Sequence, residues 1–67
     1  MNNAITTEEF EVTLLTDGDT TLSWAVISET PEQALVTAMG FADAGAGIYS
    51  VWDAKDPSGM PLNECTV

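Results

Sequence analysis

The sequence predicts one small α+β domain: an antiparallel sheet of three to four strands with one helix packed on one face, in the order β-β-α-β. Three observations predict it. Two segments of alternating hydrophobicity flank a glycine-containing turn, a capped helix rich in alanine follows them, and an aromatic strand follows the helix. The 67 residues suffice for a single domain, residues 1–67, in which we expect 1–8 and 60–67 to be flexible.

The first two strands are predicted to form a hairpin. Their apolar residues occupy every second position: Phe10, Val12 and Leu14 in the first strand, and Leu22, Trp24 and Val26 in the second. A two-residue turn would place these stripes on opposite faces of the sheet. A three-residue loop at 17–19 places Leu14 opposite Leu22, so that both stripes share one face. Burial of that face therefore predicts the three-residue loop, or a longer loop of the same parity.

A capping motif marks the start of the helix. Thr30 can cap with its hydroxyl, Pro31 suits the first helical position, and Gln33 can complete a capping box. The apolar face of the predicted helix consists of Ala34, Leu35, Ala38, Phe41 and Ala42. We expect Gly45 and Gly47 to end the helix.

The third strand, at residues 48–52, has two competing faces. One face would carry Ile48, Ser50 and Trp52, and the other Tyr49, Val51 and Asp53. Because one helix covers only one side of a sheet, either Trp52 or Tyr49 is expected on the exposed side, where it could anchor a partner. Alternatively, that residue only covers a sheet edge. Pro61 permits at most a short edge strand after it.

The charge is strongly one-sided. Eleven acids and the single base Lys55 give a formal net charge of −10. Direct nucleic-acid binding and binding to anionic membranes both need clustered Lys and Arg, so we expect neither. The predicted partner is a basic nucleic-acid-binding protein or nucleoprotein complex. The alternative is that the acidity serves only solubility or adaptation to high salt.

The positions of the acids suggest a binding surface. Glu9 and Glu11 share one face of the first strand, Asp17 and Asp19 occupy the hairpin tip, and Asp53 and Asp56 follow the third strand. Alternate residues on a strand are about 6.7 Å apart, so carboxylates can line up as a row that imitates a phosphate backbone. These six acids, with Tyr49 and Trp52, form the predicted partner-binding set. The alternative is an ordinary solvated polar face.

The sequence argues against catalysis. It contains no His, which is the usual general base near neutral pH, and no base stands beside Cys65 in the sequence to activate its thiol. We expect no catalytic residues, no metal and no cofactor. The single cysteine excludes an internal disulfide and fits the cytoplasm. Residues 1–10 lack signal-peptide features, and no apolar run approaches the roughly 20 residues that span a bilayer.

The run from Ala25 to Leu35 leads from a strand through a capped Thr into a helix, and a glycine-flanked aromatic strand follows. This organisation, over roughly residues 10–53, resembles that of small phage host-takeover inhibitors, including the podovirus inhibitor of bacterial RNA polymerase and some anti-CRISPR proteins. The resemblance implies a compact sheet with one helix that blocks a nucleic-acid machine in the cytoplasm of the host cell. The polymerase inhibitors carry functional arginines on the last strand, whereas this chain has no Arg. No site residue is therefore carried over.

These observations favour a non-enzymatic, phage-type inhibitor that acts by nucleic-acid mimicry, with a CRISPR effector as the preferred target and bacterial RNA polymerase as the alternative. A different class also fits: a structural module, homodimeric or virion-associated, that self-assembles through its open sheet face or edge strands. An accessory domain that acts only within a larger enzyme complex is the third possibility.

Overall fold

The computed structural model describes residues 6–41 and 44–67. Its elements are β1 (Glu8–Thr16), β2 (Thr21–Ser28), α1 (Pro31–Met39), β3 (Gly47–Asp53) and β4 (Asn63–Thr66). The four strands form one sheet in the order β2-β1-β3-β4, and each neighbouring pair is antiparallel. The α+β class and the four-stranded antiparallel sheet with one helix are confirmed. The elements follow each other along the chain in the order β-β-α-β-β. The predicted order β-β-α-β therefore lacked the last strand, β4.

The β1–β2 hairpin has the register that the buried face selects. Leu14 lies opposite Leu22 and Val12 opposite Trp24, as the three-residue loop requires. The Asp19 N–H donates to the Thr16 carbonyl at 3.0 Å, and Asp19 takes a positive φ of 65°. Aspartate tolerates this left-handed conformation better than most residues, which explains why a loop without glycine at that position still closes.

The helix begins as predicted but ends earlier. The Thr30 hydroxyl accepts a hydrogen bond from the Gln33 N–H at 3.1 Å. The Gln33 side chain does not complete a capping box; its Oε1 accepts from the Ser28 hydroxyl at 3.4 Å. The expectation that the helix ends at Gly45 and Gly47 is wrong, because Gly40 already caps it after Met39.

The helical face therefore consists of fewer residues than predicted. Ala34, Leu35 and Ala38 are buried on it, while Phe41 lies beyond the helix and Ala42 lies outside the described residues. Phe41 still packs on the sheet side of the helix, because its ring lies 5.7 Å from that of Trp24 at a tilt of 51°. A loop residue thus takes over part of the role expected of the helix.

The core lies between the helix and one face of the sheet. Its largest fully buried side chains are Tyr49, Leu14, Val12 and Val51, and Phe10, Val26, Ala34, Leu35, Ala38 and Ala44 complete it. Trp24 and Cys65 pack against this cluster while remaining partly exposed. The opposite face of the sheet has no helix over it in the described chain.

Gly47 allows the start of β3 to approach β1 closely. It has a positive φ of 147°, and a Cβ there would overlap the carbonyl oxygen of Leu15. It also exchanges two backbone hydrogen bonds with Val67, at 3.1 and 2.9 Å. Gly47 therefore joins β1, β3 and the end of β4 at a point where no side chain fits.

Candidate protein-binding surface

The uncovered side of the sheet, here called the open face, carries the odd-numbered residues of β1 and β2 and the even-numbered residues of β3 and β4. Its apolar members include Leu15, Ile27, Ile48 and Trp52. Leu15 and Ile48 face each other across β1 and β3 and are both about two-fifths exposed. The open face is therefore a mixed surface on which apolar side chains lie among small polar ones.

Trp52 is the largest side chain on the open face. It is half-buried, and its indole Nε1–H donates to the Thr13 hydroxyl at 3.0 Å. Because Thr13 is on the neighbouring strand, this bond ties the ring to β1 rather than leaving it free in solvent. A fixed aromatic ring loses little conformational freedom on binding, which suits an interface anchor.

Three acids share the open face with Trp52. Glu11 lies directly opposite Trp52 in the β1–β3 register, and Glu9 is two residues away on β1. Glu64 of β4 lies opposite Ser50, whose hydroxyl donates to the Glu64 carboxylate at 3.3 Å. The open face therefore combines an aromatic ring with carboxylates on both sides of it.

The remaining predicted acids lie elsewhere. Asp17 and Asp19 are at the hairpin tip, roughly 20 Å along β1 from Glu11, given about 3.3 Å per residue. Asp53 pairs with buried Phe10, which places it on the helix side at the other end of the sheet, and its Oδ1 accepts from the Lys55 N–H at 2.9 Å. Asp56 follows in the next turn. The six acids therefore do not form one continuous row.

Tyr49 does not lie on the surface. It is only 2% exposed, and its hydroxyl donates to the Gly45 carbonyl at 2.6 Å. The inclusion of Tyr49 among the surface residues is therefore wrong: its ring fills the core beneath the helix, where a partner cannot reach it. Of the two alternatives, Trp52 is the aromatic residue on the open face.

Glu64, Ser50 and Thr13 also belong to the open face, although no sequence pattern indicated them. Glu64 was missed because the four-residue strand β4 follows Pro61 and shows no clear alternation of its own. Nothing in the sequence marks Thr13 and Ser50 as members of a binding surface, since small polar residues are common at solvent-facing strand positions. Only the pairing of β1 with β3 brings these residues beside Trp52 and Glu11.

A shallow groove lies beside the C-terminal end of β2, where the chain leads into α1. It has a volume of about 630 Å³ and is lined by Thr7, Ile27, Ser28, Glu29, Glu32, Gln33, Val36 and Thr37. Ile27 and Val36 are 72% and 70% exposed, which is high for aliphatic side chains facing a common groove. The groove is therefore a partly apolar surface between the end of β2 and α1.

Within residues 6–41 and 44–67, no three His, Cys, Asp or Glu side chains come together in a group that could hold a metal ion. No helix in these same ranges is long and apolar enough to cross a membrane. Comparison with known proteins found no match to a family model, to a curated protein or to a solved structure.

Proposed function

We propose that this chain is a non-enzymatic binding protein that covers a basic, nucleic-acid-binding surface of another protein with its open face. The observation that carries the proposal is the position of Glu9 and Glu11 beside Trp52 on the side of the sheet that the helix leaves uncovered. Specific protein interfaces commonly combine a desolvated aromatic anchor with a polar or charged rim.

Electrostatics supports a basic partner. With eleven acids and one base, the chain attracts Lys- and Arg-rich surfaces over distances comparable to the Debye length, about 8 Å at physiological salt. Such steering mainly raises the association rate and selects against acidic partners. The commonest extended basic surfaces are those that bind nucleic acid, so the carboxylates would occupy positions that phosphates otherwise take.

Trp52 supplies the second component. Its indole N–H already has a partner in Thr13, so contact with another protein can bury the ring without leaving that donor unsatisfied. Leu15 and Ile48 extend the apolar part of the open face away from Glu9 and Glu11. The partner would therefore present basic side chains to the Glu9 and Glu11 end and an apolar contact to the Trp52 ring.

The resemblance to phage host-takeover inhibitors supports a narrower version of the proposal. In that version the chain acts in the host cytoplasm, and the preferred target is a CRISPR effector, with bacterial RNA polymerase as the alternative. The missing arginines favour the CRISPR effector, because the polymerase inhibitors use arginines on the last strand and β4 has none.

The test compares two charge-matched variants. Glu9→Gln with Glu11→Gln removes two carboxylates from the open face, and Asp17→Asn with Asp19→Asn removes two from the hairpin tip. The tagged chain is used to capture proteins from bacterial lysate with and without nuclease, and the affinity for the captured protein is measured at low and high salt. CRISPR effector and core RNA polymerase are titrated directly alongside.

We expect the wild-type chain to retain a basic nucleic-acid-binding protein that competitor DNA or RNA displaces. The Glu9/Glu11 variant should bind about tenfold more weakly, and the Asp17/Asp19 variant should change the affinity much less. The affinity of the wild-type chain should fall steeply as salt rises. Equal effects of the two variants, or an affinity that does not depend on salt, would contradict the proposal.

A further inference from the structure

Within residues 6–41 and 44–67, no strand pairs with the outer edge of β2. In the β1–β2 ladder the even-numbered residues of β2 exchange hydrogen bonds with β1, as the bond from the Thr16 N–H to the Thr20 carbonyl at 2.8 Å shows for the first pair. Ladder alternation then directs the N–H and C=O groups of the odd-numbered residues away from the sheet. These residues are Thr21, Ser23, Ala25 and Ile27.

This edge lacks the features that normally prevent strand addition. β2 is eight residues long and contains no proline and no charged residue. The opposite edge strand, β4, has four residues, carries Glu64 and follows Pro61. Edge strands are usually protected by shortness, proline or inward charges, and β4 has such protection while β2 has none.

We propose that β2 pairs with β2 of a second copy of this chain, antiparallel about a two-fold axis, to form one continuous sheet. The absence of charge on β2 makes this edge the place where a second copy can be accommodated. Each of the other four elements carries at least one acid, so two copies that each bear a formal charge of −10 repel at those surfaces. Among the described elements, β2 allows two copies to pair with no carboxylate inside the paired strands.

The direction of the free backbone groups restricts pairing to the odd-numbered residues of β2, and complete overlap of these residues then sets the register. Complete overlap of the outward-facing residues places Thr21 opposite Ile27 of the partner copy and Ser23 opposite Ala25 of the partner copy, and each such pair exchanges two backbone hydrogen bonds. The two-fold axis then passes beside Trp24, so the two Trp24 side chains are cross-strand neighbours on the helix side. Aromatic cross-strand pairs of this kind stabilise sheets. Trp24 is half-buried in the single chain, which leaves part of its ring available.

The groove beside β2 supports an incoming strand. Ile27 and Val36, the highly exposed aliphatic residues that line it, belong to the end of β2 and to the outer side of α1. A strand added at this edge brings its own hairpin end alongside the groove. The exposed Leu22 of the partner copy then lies opposite Val26 on the helix side, the side on which Val36 lines the groove. The added strand thus gains side-chain contacts as well as backbone hydrogen bonds.

Charge repulsion remains just beyond the paired strands. In this register Glu29 faces Asp19 of the partner copy, two residues past the last hydrogen-bonded pair of the ladder. Dimerisation should therefore strengthen as salt rises, whereas binding to a basic partner should weaken. This opposite salt dependence separates the pairing of two copies from the proposed function, and each can fail without the other.

Mass measurement is the first test. Sedimentation equilibrium from micromolar to millimolar concentration should show a mass that rises from 7.1 kDa toward twice that value, and does so at lower concentration in high salt. Ala25→Pro removes an outward N–H and keeps every bond to β1, so it should weaken the dimer about tenfold or more. Thr66→Pro changes an outward position on β4 in the same way and should leave the dimer unchanged.

Disulfide trapping tests the register independently of proline. In a Cys65→Ser background, Ser23→Cys and Ala25→Cys chains are mixed and oxidised. Facing residues of an antiparallel pair have Cα atoms about 5.5 Å apart, which a disulfide can span. The mixture should yield a cross-linked heterodimer in preference to either homodimer. A chain that stays monomeric at every concentration and salt, a dimer unaffected by Ala25→Pro, or cross-linking without preference for the mixed pair would overturn the proposal.

Discussion

The indole N–H of Trp52 and the hydroxyl of Thr13 form a hydrogen bond of 3.0 Å between neighbouring strands on the open face. The bond joins residues that are 39 positions apart in the chain. It connects the hairpin that precedes the helix with the strand that follows it. The orientation of the proposed binding anchor therefore depends on the pairing of β1 with β3.

Thr13→Val should remove this bond while preserving the shape of the side chain. We expect the free energy of unfolding to fall by about 1 kcal/mol, since one partly buried donor loses its partner. Urea unfolding followed by circular dichroism measures the change. Thr21→Val is the matched control, because Thr21 is an exposed threonine on the same face whose hydroxyl bonds to no described residue. Equal effects of the two changes would show that the bond contributes nothing.

Gly47→Ala should be the most damaging small substitution in the sheet. The new Cβ would overlap the Leu15 carbonyl oxygen, so β3 would have to move away from β1. We expect a loss of roughly 3 kcal/mol or more, enough to unfold much of so small a domain. Gly59→Ala is the control: Gly59 also has a positive φ, of 87°, but has open space around it.

The control should cost only about 1 kcal/mol of backbone strain. Thermal unfolding of both variants measures the difference. If Gly47→Ala costs no more than Gly59→Ala, the close approach between β1 and β3 is not as tight as the structure has it.

Thr30→Ala should destabilise the start of the helix. The Thr30 hydroxyl accepts the Gln33 N–H, which has no partner within the helix. We expect a loss of about 1 kcal/mol in the free energy of unfolding. Thr30→Ser keeps the hydroxyl and should cost far less. Chemical denaturation of the two variants distinguishes the lost cap from the lost methyl group, and similar losses would assign the effect to packing instead.

Salt should stabilise the folded chain. Folding brings the acids closer together than they are in the unfolded chain, so screening of their repulsion favours the folded state. A gain of about 1 kcal/mol corresponds to a rise of roughly 4–8 °C in the unfolding temperature of a domain this small. The measurement is best made on the Ala25→Pro variant, so that dimerisation does not contribute. An unfolding temperature that is independent of salt would show that the acids lie too far apart to repel.

The sequence by itself determined the elements that depend on local pattern. Alternation and parity gave the register of the β1–β2 hairpin, because a slip of one residue would have exposed every apolar side chain of one strand. Thr30 and Pro31 located the start of the helix through cap chemistry within a few residues. The acidity and the absence of His, which restrict the choice of partner and of chemistry, also needed no structure.

Only the tertiary structure decided which face of β3 is buried. Both faces carry one aromatic and one aliphatic residue, so hydrophobic alternation gives no preference between Tyr49 and Trp52. In the β1–β3 pairing, Tyr49 lies directly opposite Leu14 on the same face of the sheet. Because Leu14 is buried beneath the helix, Tyr49 is buried there too. The same pairing sets Trp52 beside Thr13 and Glu11. The candidate surface is thus a product of long-range strand pairing, which local sequence patterns do not specify.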